Sequence, residues 1–288
     1  MKKLTFIMMI ALAISACGQT GNNDSKTKNE EKMEISNNQK VVELLKSIET
    51  GAAEPAGYIN PNHYIQHNQG VADGLAGFGA VLQQLPKGSA RANTVRVFSD
   101  GNYVVAHTDY NFFGPKIGFD IFRFEDGLIV EHWDNLQEKA TETASGRTQI
   151  DGPTEIIDLD KTEANKALVK NLMNDVFFGA NPNKITEYIS TEQYDQHNPA
   201  VKDGLAGLGE TLQALAKAGM PMIYEKKHII LGEGNFVLSV SEGIFMKEKV
   251  AFYDLFRIEN GKVVEHWDTI EKLIPETEAK NSNGKFNF

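Results

Sequence analysis

One stretch of this chain is written twice, and an internal repeat decides the architecture that a chain can take. YIQHNQGVADGLAGFGAVLQ at Tyr64–Gln83 returns as YDQHNPAVKDGLAGLGETLQ at Tyr194–Gln213, an offset of 130. FDIFRFEDGLIVEHWD at Phe119–Asp134 returns as YDLFRIENGKVVEHWD at Tyr253–Asp268, an offset of 134. The drift between the two offsets places small loop insertions between the blocks. Both tryptophans, Trp133 and Trp267, fall in the tetrapeptide EHWD, and His67 pairs with His197 as His132 does with His266. A length of 288 residues fits two domains at roughly 150 residues each.

Composition serves mainly to exclude. With 41% hydrophobic and 24% charged residues, the chain is neither disordered throughout nor collagenous nor a coiled coil. A net charge of −10 with no lysine or arginine block leaves no electrostatic footprint for nucleic acid. The single cysteine, Cys17, can form no internal disulfide, and there is no cysteine cluster for a structural zinc. Met1-Lys2-Lys3, the apolar run Leu4–Ile14 and the small residues before Cys17 read as a secretory signal. That run is well short of the roughly 20 residues that span a bilayer. Ile14-Ser15-Ala16-Cys17 resembles the lipobox of bacterial lipoproteins. The resemblance implies that Cys17 is lipidated, and that the chain sits in the bacterial cell envelope, touching membrane only through its lipid anchor. An ordinary cleaved signal that leaves a free thiol is the alternative. Cleavage before Cys17 leaves 27 basic and 39 acidic residues, a balance of −12. The expected organisation is a signal over 1–16, a polar tether over 17–38, a first repeat over 39–143, a linker over 144–160, a second repeat over 161–275 and a tail over 276–288.

Each copy opens with helical patterning and closes with strands. Val41, Leu44, Leu45 and Ile48 predict a helix over Lys40–Glu49, and Thr162–Phe178 is its counterpart. Pro55, Pro61 and Pro182 punctuate a bend, after which Asp73 and Asp203 stand as N-caps ahead of Leu75–Leu85 and Leu205–Lys217. Strands are expected at Thr94–Phe98, Tyr103–Tyr110, Phe119–Phe124 and Leu128–Leu136, with turns at Asp126-Gly127 and Asn260-Gly261. Helices followed by an antiparallel meander make each copy an α+β unit.

This order, with YxQHN and a final xDxFRxExGxxVEHWD, resembles the SnoaL-like polyketide cyclase family of the nuclear-transport-factor-2-like, or cystatin-like, superfamily. The resemblance covers about 100 residues of each copy. It implies two tandem α+β cones, each with helices on a curved sheet, paired through their convex faces as an intramolecular pseudo-dimer. It also implies a cavity for a small, mostly apolar organic compound and acid/base chemistry without a cofactor. Phe119–Val130 is further similar to the ketosteroid isomerase strand that carries a protonated oxyanion-hole aspartate. That alignment puts Asp120 and Asp254 in the aspartate's place, and His67 and His197 where the isomerase keeps its base.

The residues can be read without that alignment. Alternation places Asp120 on one face with Phe122 and Phe124, where poor solvation favours the neutral acid and a hydrogen bond to a developing oxyanion. Pairing with Arg123 is the bland alternative. His67 is a candidate base or, with Asn68, a loop support. His107, replaced by Val240 in the second copy, is expected beside Asp120 if the hairpin matches the isomerase; otherwise it is an ordinary buried histidine. In EHWD, alternation separates Glu131 and Trp133 from His132 and Asp134, the alternative being that the tetrapeptide simply closes the sheet edge. By the same resemblance His132, Asp134, His266 and Asp268 line the cavity with Tyr64, Asn68, Tyr194 and Asn198, and the tryptophans face outward. His63 and His67 have helical metal spacing, but Gln193 replaces His63 in the second copy and no HExxH motif occurs, so no metal is expected. Two functions remain open: proton transfer in an aldol-type cyclisation or isomerisation of a carbonyl compound, with His67, Asp120, His107, His197 and Asp254 as its residues, or ligand binding or protein interaction without chemistry.

Overall fold

A computed structural model describes residues 35–288 except Lys87. Cys17, the apolar run and most of the tether lie outside the described residues, and no described helix is long and apolar enough to cross a membrane. The first repeat runs α1 (Asn37–Thr50), β1 (Ile65–Gln66), α2 (Gly74–Gln84), β2 (Arg91–Asp100), β3 (Tyr103–Asn111), β4 (Pro115–Glu125) and β5 (Leu128–Glu138). The second runs α3 (Thr162–Leu172), continued by a π turn, then α4 (Ile185–Tyr188), β6 (Asp195–Gln196), α5 (Gly204–Lys217), β7 (Ile223–Glu233), β8 (Phe236–Phe245), β9 (Glu248–Glu259) and β10 (Lys262–Lys272). The expected fold class holds: two tandem α+β units, each a five-stranded sheet with helices on one face.

The strand orders are identical, β1-β5-β4-β3-β2 and β6-β10-β9-β8-β7, with the two-residue strands parallel to the last strand and the rest antiparallel. Helix α1 starts earlier than its periodicity predicts because the Ser36 hydroxyl accepts the Gln39 amide at 3.2 Å. Asp73 and Asp203 occupy cap positions but make no capping bond. Their carboxylates accept the backbone amides of Gln66 at 3.0 Å and Gln196 at 2.9 Å instead, which ties each helix start to the short strand before it. The β4–β5 and β9–β10 turns take positive φ at both Asp126-Gly127 and Asn260-Gly261, the conformation for which aspartate, asparagine and glycine are suited.

Three apolar cores result. Val41, Leu44, Tyr64, Phe122 and Phe124 fill the space between helices and sheet in repeat 1, and Val169, Leu172, Tyr194, Phe252 and Phe256 do so in repeat 2. The third core joins the opposite faces of the two sheets, with Phe119, Ile121 and Trp133 packed with Tyr253, Leu255 and Trp267. Polar contacts lock its register: Asn135 Nδ2 donates to the Thr269 carbonyl at 2.9 Å, and the Ile270 amide donates to Gln137 Oε1 at 2.8 Å. Each sheet therefore has a helix-side face and an inter-sheet face.

Candidate functional site

Register builds the site on the helix-side face. Asp120 lies directly across from Asp134 on β4 and β5, and Phe122 across from His132, so two carboxylates and an imidazole converge. His132 Nε2 is 3.1 Å from Asp120 Oδ1, and the Tyr110 hydroxyl donates to Asp120 Oδ2 at 2.7 Å. On the other ring nitrogen, Nδ1 faces Gln66 Oε1 at 3.1 Å. That oxygen also accepts the Asn68 amide at 2.8 Å, which fixes it as an acceptor and puts a hydrogen on Nδ1. A hydrogen bond between Nε2 and Asp120 Oδ1 completes the pair. Burial pushes the Asp120 carboxyl up, with the His132 hydrogen bond working against it. Asn68 Nδ2 donates to Asp134 Oδ2 at 2.6 Å, while Asp134 Oδ1 has no hydrogen bond and lies 3.7 Å from the Lys285 ammonium. Tyr64 completes the set. Its oxygen accepts from Gln66 Nε2 at 3.4 Å, and burial, with the Asp134 and Asp120 charges behind it, raises its pKa so that it keeps its proton.

Repeat 2 repeats the plan. Asp254 lies across from Asp268, His266 Nε2 is 3.1 Å from Asp254 Oδ1, His266 Nδ1 is 3.2 Å from Gln196 Oε1, and Asn198 donates to Asp268 Oδ2 at 2.7 Å. The Tyr224 hydroxyl donates to Asp254 at 3.1 Å. Asp268 Oδ1 and the Tyr194 hydroxyl are buried without hydrogen-bond partners. Burial, reinforced by the Asp254 charge, raises Asp268 to about 6. Burial works against charge on His266, yet the Asp254 hydrogen bond and the Asp268 charge raise its pKa overall. In each repeat, donor atoms of the Asp–His–Asp set lie within 4.8 Å of one another, close enough to be considered for a metal.

The histidines expected beside these aspartates lie elsewhere. The β1–β5 pairing sets Gln66 against His132, so Gln66 turns inward and the next residue, His67, turns to the inter-sheet face. There His67 stacks on Trp133 with ring centroids 4.5 Å apart and meets Glu131 Oε1 at 2.8 Å. His197 stacks on Trp267 at 4.6 Å and meets Glu265 Oε1 at 2.8 Å. Glu131 and Glu265 are in turn held by Arg123 and Arg257. His67 and His197 therefore do not share a cavity with Asp120 and Asp254. His107, expected beside Asp120, also lies off this face, because of the β3–β4 register. Ala106 is the residue across from Asp120, and His107 faces Phe119 on the inter-sheet side, stacked on it at 4.2 Å. Burial first, then the nearby Arg96 charge, holds His107 well below the ordinary histidine value.

Two segments without strong sequence pattern complete the inter-sheet face by crossing to the other repeat. The linker brings the Thr148 carbonyl to His197 Nδ1 at 2.6 Å and the Asp151 carbonyl to Trp267 Nε1 at 3.0 Å. The tail brings the Gly284 carbonyl to His67 Nδ1 at 2.6 Å and the Asn287 carbonyl to Trp133 Nε1 at 3.1 Å, with Phe288 stacked on Trp133. Thr148 thus corresponds to Gly284 and Asp151 to Asn287, which makes Gln149 the counterpart of Lys285. The sequence reading missed Gln66 and Gln196, although both repeat within YxQHN. It also missed Lys285, Tyr110 and Tyr224. The two tyrosines come from non-equivalent strands, β3 and β7, so no repeat signal could reveal them.

No family model and no curated protein matches the chain. Solved structures similar to it include an NTF2-like protein of unknown function from Cytophaga hutchinsonii, 16% identical over 37% of this chain and 94% of its own, with a TM-score of 0.32. TsrD from Streptomyces laurentii is 20% identical over 36% of this chain and 92% of its own, with a TM-score of 0.30. IdmH from Streptomyces antibioticus, a proposed polyketide cyclase, is 17% identical over 34% of this chain and 90% of its own, with a TM-score of 0.30. Each spans about a third of the chain.

Proposed function

We propose that the chain binds a small, mostly apolar carbonyl compound on the helix-side face of repeat 1 and moves a proton next to the carbonyl. The observation that carries this reading is the convergence of a proton-holding Asp120–His132 pair with Asp134 Oδ1, which has no hydrogen bond, on an apolar face that includes Val104, Ala106 and Phe122. Asp134 takes the proton α to the carbonyl. The Tyr64 hydroxyl, which accepts from Gln66 and so has its own hydrogen free, donates to the oxygen where negative charge develops. The Asp120–His132 pair supplies and recovers the proton that completes an isomerisation or aldol-type step. Leu75 and Phe78 on α2 pack only partly buried against this core, making α2 the element over which a ligand enters.

The resemblance to SnoaL-like cyclases supports the same reaction class, and we propose, from the lipobox-like Ile14–Cys17, that a lipid on Cys17 holds the chain in the cell envelope. The test is α-proton exchange in deuterated water across a panel of ketones, followed by NMR. Asp120→Asn and Tyr64→Phe are each expected to slow exchange by about 10²–10³-fold. If the wild type exchanges no ketone while a ligand co-purifies with it, the chain is a binding protein and the catalytic reading fails.

A further inference from the structure

The two copies differ most where their charges are balanced. In repeat 1 the ammonium of Lys285, buried and also bonded to Glu271, faces Asp134. In repeat 2 the corresponding residue is Gln149, which is neutral. Asp268 makes no ion pair among the described residues, and the partner of Asp254 is His266. Asp268 is only 5% exposed, yet its Oδ1 has no hydrogen-bond partner. Two carboxylates and one imidazole are thus buried together with no lysine or arginine to offset them, an arrangement that favours a cation.

The donors are also held as metal ligands usually are. His266 presents Nδ1 to Gln196 Oε1, which leaves Nε2 directed at the carboxylates; a ligating histidine commonly gives its other nitrogen to such an acceptor. Asn198 holds Asp268 by Oδ2, leaving Oδ1 unoccupied, and Tyr224 holds Asp254. Ligands bound at about 2.0–2.2 Å around a tetrahedral zinc stand roughly 3.3–3.6 Å apart. His266 Nε2 and Asp254 Oδ1 are already 3.1 Å apart, and the full set lies within 4.8 Å, so a shift of about an ångström closes it. The unpartnered Tyr194 hydroxyl, which senses the charges of both Asp254 and Asp268, can donate to a water on the metal's open position.

We propose that Asp254, His266 and Asp268 bind one first-row divalent metal ion, zinc or manganese, in repeat 2, and that Lys285 takes the equivalent place in repeat 1. One nitrogen and two carboxylate oxygens with an open position suit these ions. Nitrogen and carboxylate ligands bind a metal only when deprotonated, so uptake weakens as pH falls. The inference goes beyond the proton-transfer reading, which rests on repeat 1 alone.

The experiment is equilibrium dialysis of the full-length chain, stripped with chelator, against Zn²⁺ and separately Mn²⁺, with thermal melts of every variant. The expected result is one ion per chain and a higher melting temperature with metal. His266→Gln and the near-isosteric Asp268→Asn should each weaken binding by about 100-fold or more while still melting cooperatively. His132→Gln should keep one ion, and Lys285→Gln should take up a second. No uptake by the wild type, or uptake that survives both His266→Gln and Asp268→Asn, overturns the site. A single ion in Lys285→Gln overturns the role given to the lysine. Ketone exchange that persists when no metal is bound would leave the proton-transfer reading standing.

Discussion

The helix-side faces of the two repeats carry the same Asp–His–Asp geometry in different electrostatic settings. Each second aspartate keeps one oxygen without a hydrogen bond, but Asp134 faces the ammonium of Lys285 whereas Asp268 faces no such cation among the described residues and has its carboxyl raised to about 6. The aspartate–histidine pairs also draw their tyrosine from different strands, Tyr110 on β3 and Tyr224 on β7. A hydroxyl donated to the same carboxylate from two non-equivalent positions means that the bond is maintained while the route to it is not. Duplication preserved the constellation, and its surroundings diverged.

Three paired substitutions probe this divergence, in falling order of effect. Trp133 and Trp267 are fully buried, each under a histidine and a crossing segment, so Trp133→Ala and Trp267→Ala should each cost about 3–5 kcal/mol in denaturant melts. Markedly unequal losses would break the equivalence of the linker and the tail. Next, Asp268→Asn and Asp134→Asn should change stability in opposite directions in the metal-free chain at pH 8. A carboxyl raised from 3.8 to about 6 contributes stability below its unfolded value and loses it as pH rises through about 6. Asp268→Asn should therefore stabilise at pH 8 by on the order of 3 kcal/mol and flatten the stability profile between pH 4 and 7. Asp134→Asn removes a partner of Lys285 and should destabilise by about 1–3 kcal/mol, Glu271 limiting the loss. Calorimetric melts across pH check both signs. Last, Tyr110→Phe and Tyr224→Phe should each cost about 1 kcal/mol, equal within error if the two routes to the carboxylate serve one purpose.

How far the sequence could be read follows from where each residue's partners lie along the chain. Asp120, His132 and Asp134 could be placed on one face because strand alternation is local and β4 and β5 are joined by a tight Asp-Gly turn. His67 could not. It follows a strand only two residues long, so the face it takes depends on pairing with β5, where its partner Glu131 lies 64 positions further along the chain. His107 falls beside Asp120 only on an assumed hairpin length, and the β3–β4 pairing sets Ala106 across from Asp120 instead. Asp73 and Asp203 read as caps, but the chain uses them to fasten the short strands, a choice between two nearby amides that pattern cannot decide. Lys285 and Gln149 lie in segments without periodicity, and their positions depend on where those segments cross the other repeat.

The proposed chemistry belongs to the face carrying Asp120, His132 and Asp134, while His67 braces the opposite face. Ketone α-proton exchange in Asp134→Asn and His67→Gln, each measured below its own melting temperature, tests this most directly. The expected result is a loss of about 10²–10⁴-fold in Asp134→Asn and exchange close to wild type in His67→Gln. Exchange that survives Asp134→Asn and disappears in His67→Gln would contradict it.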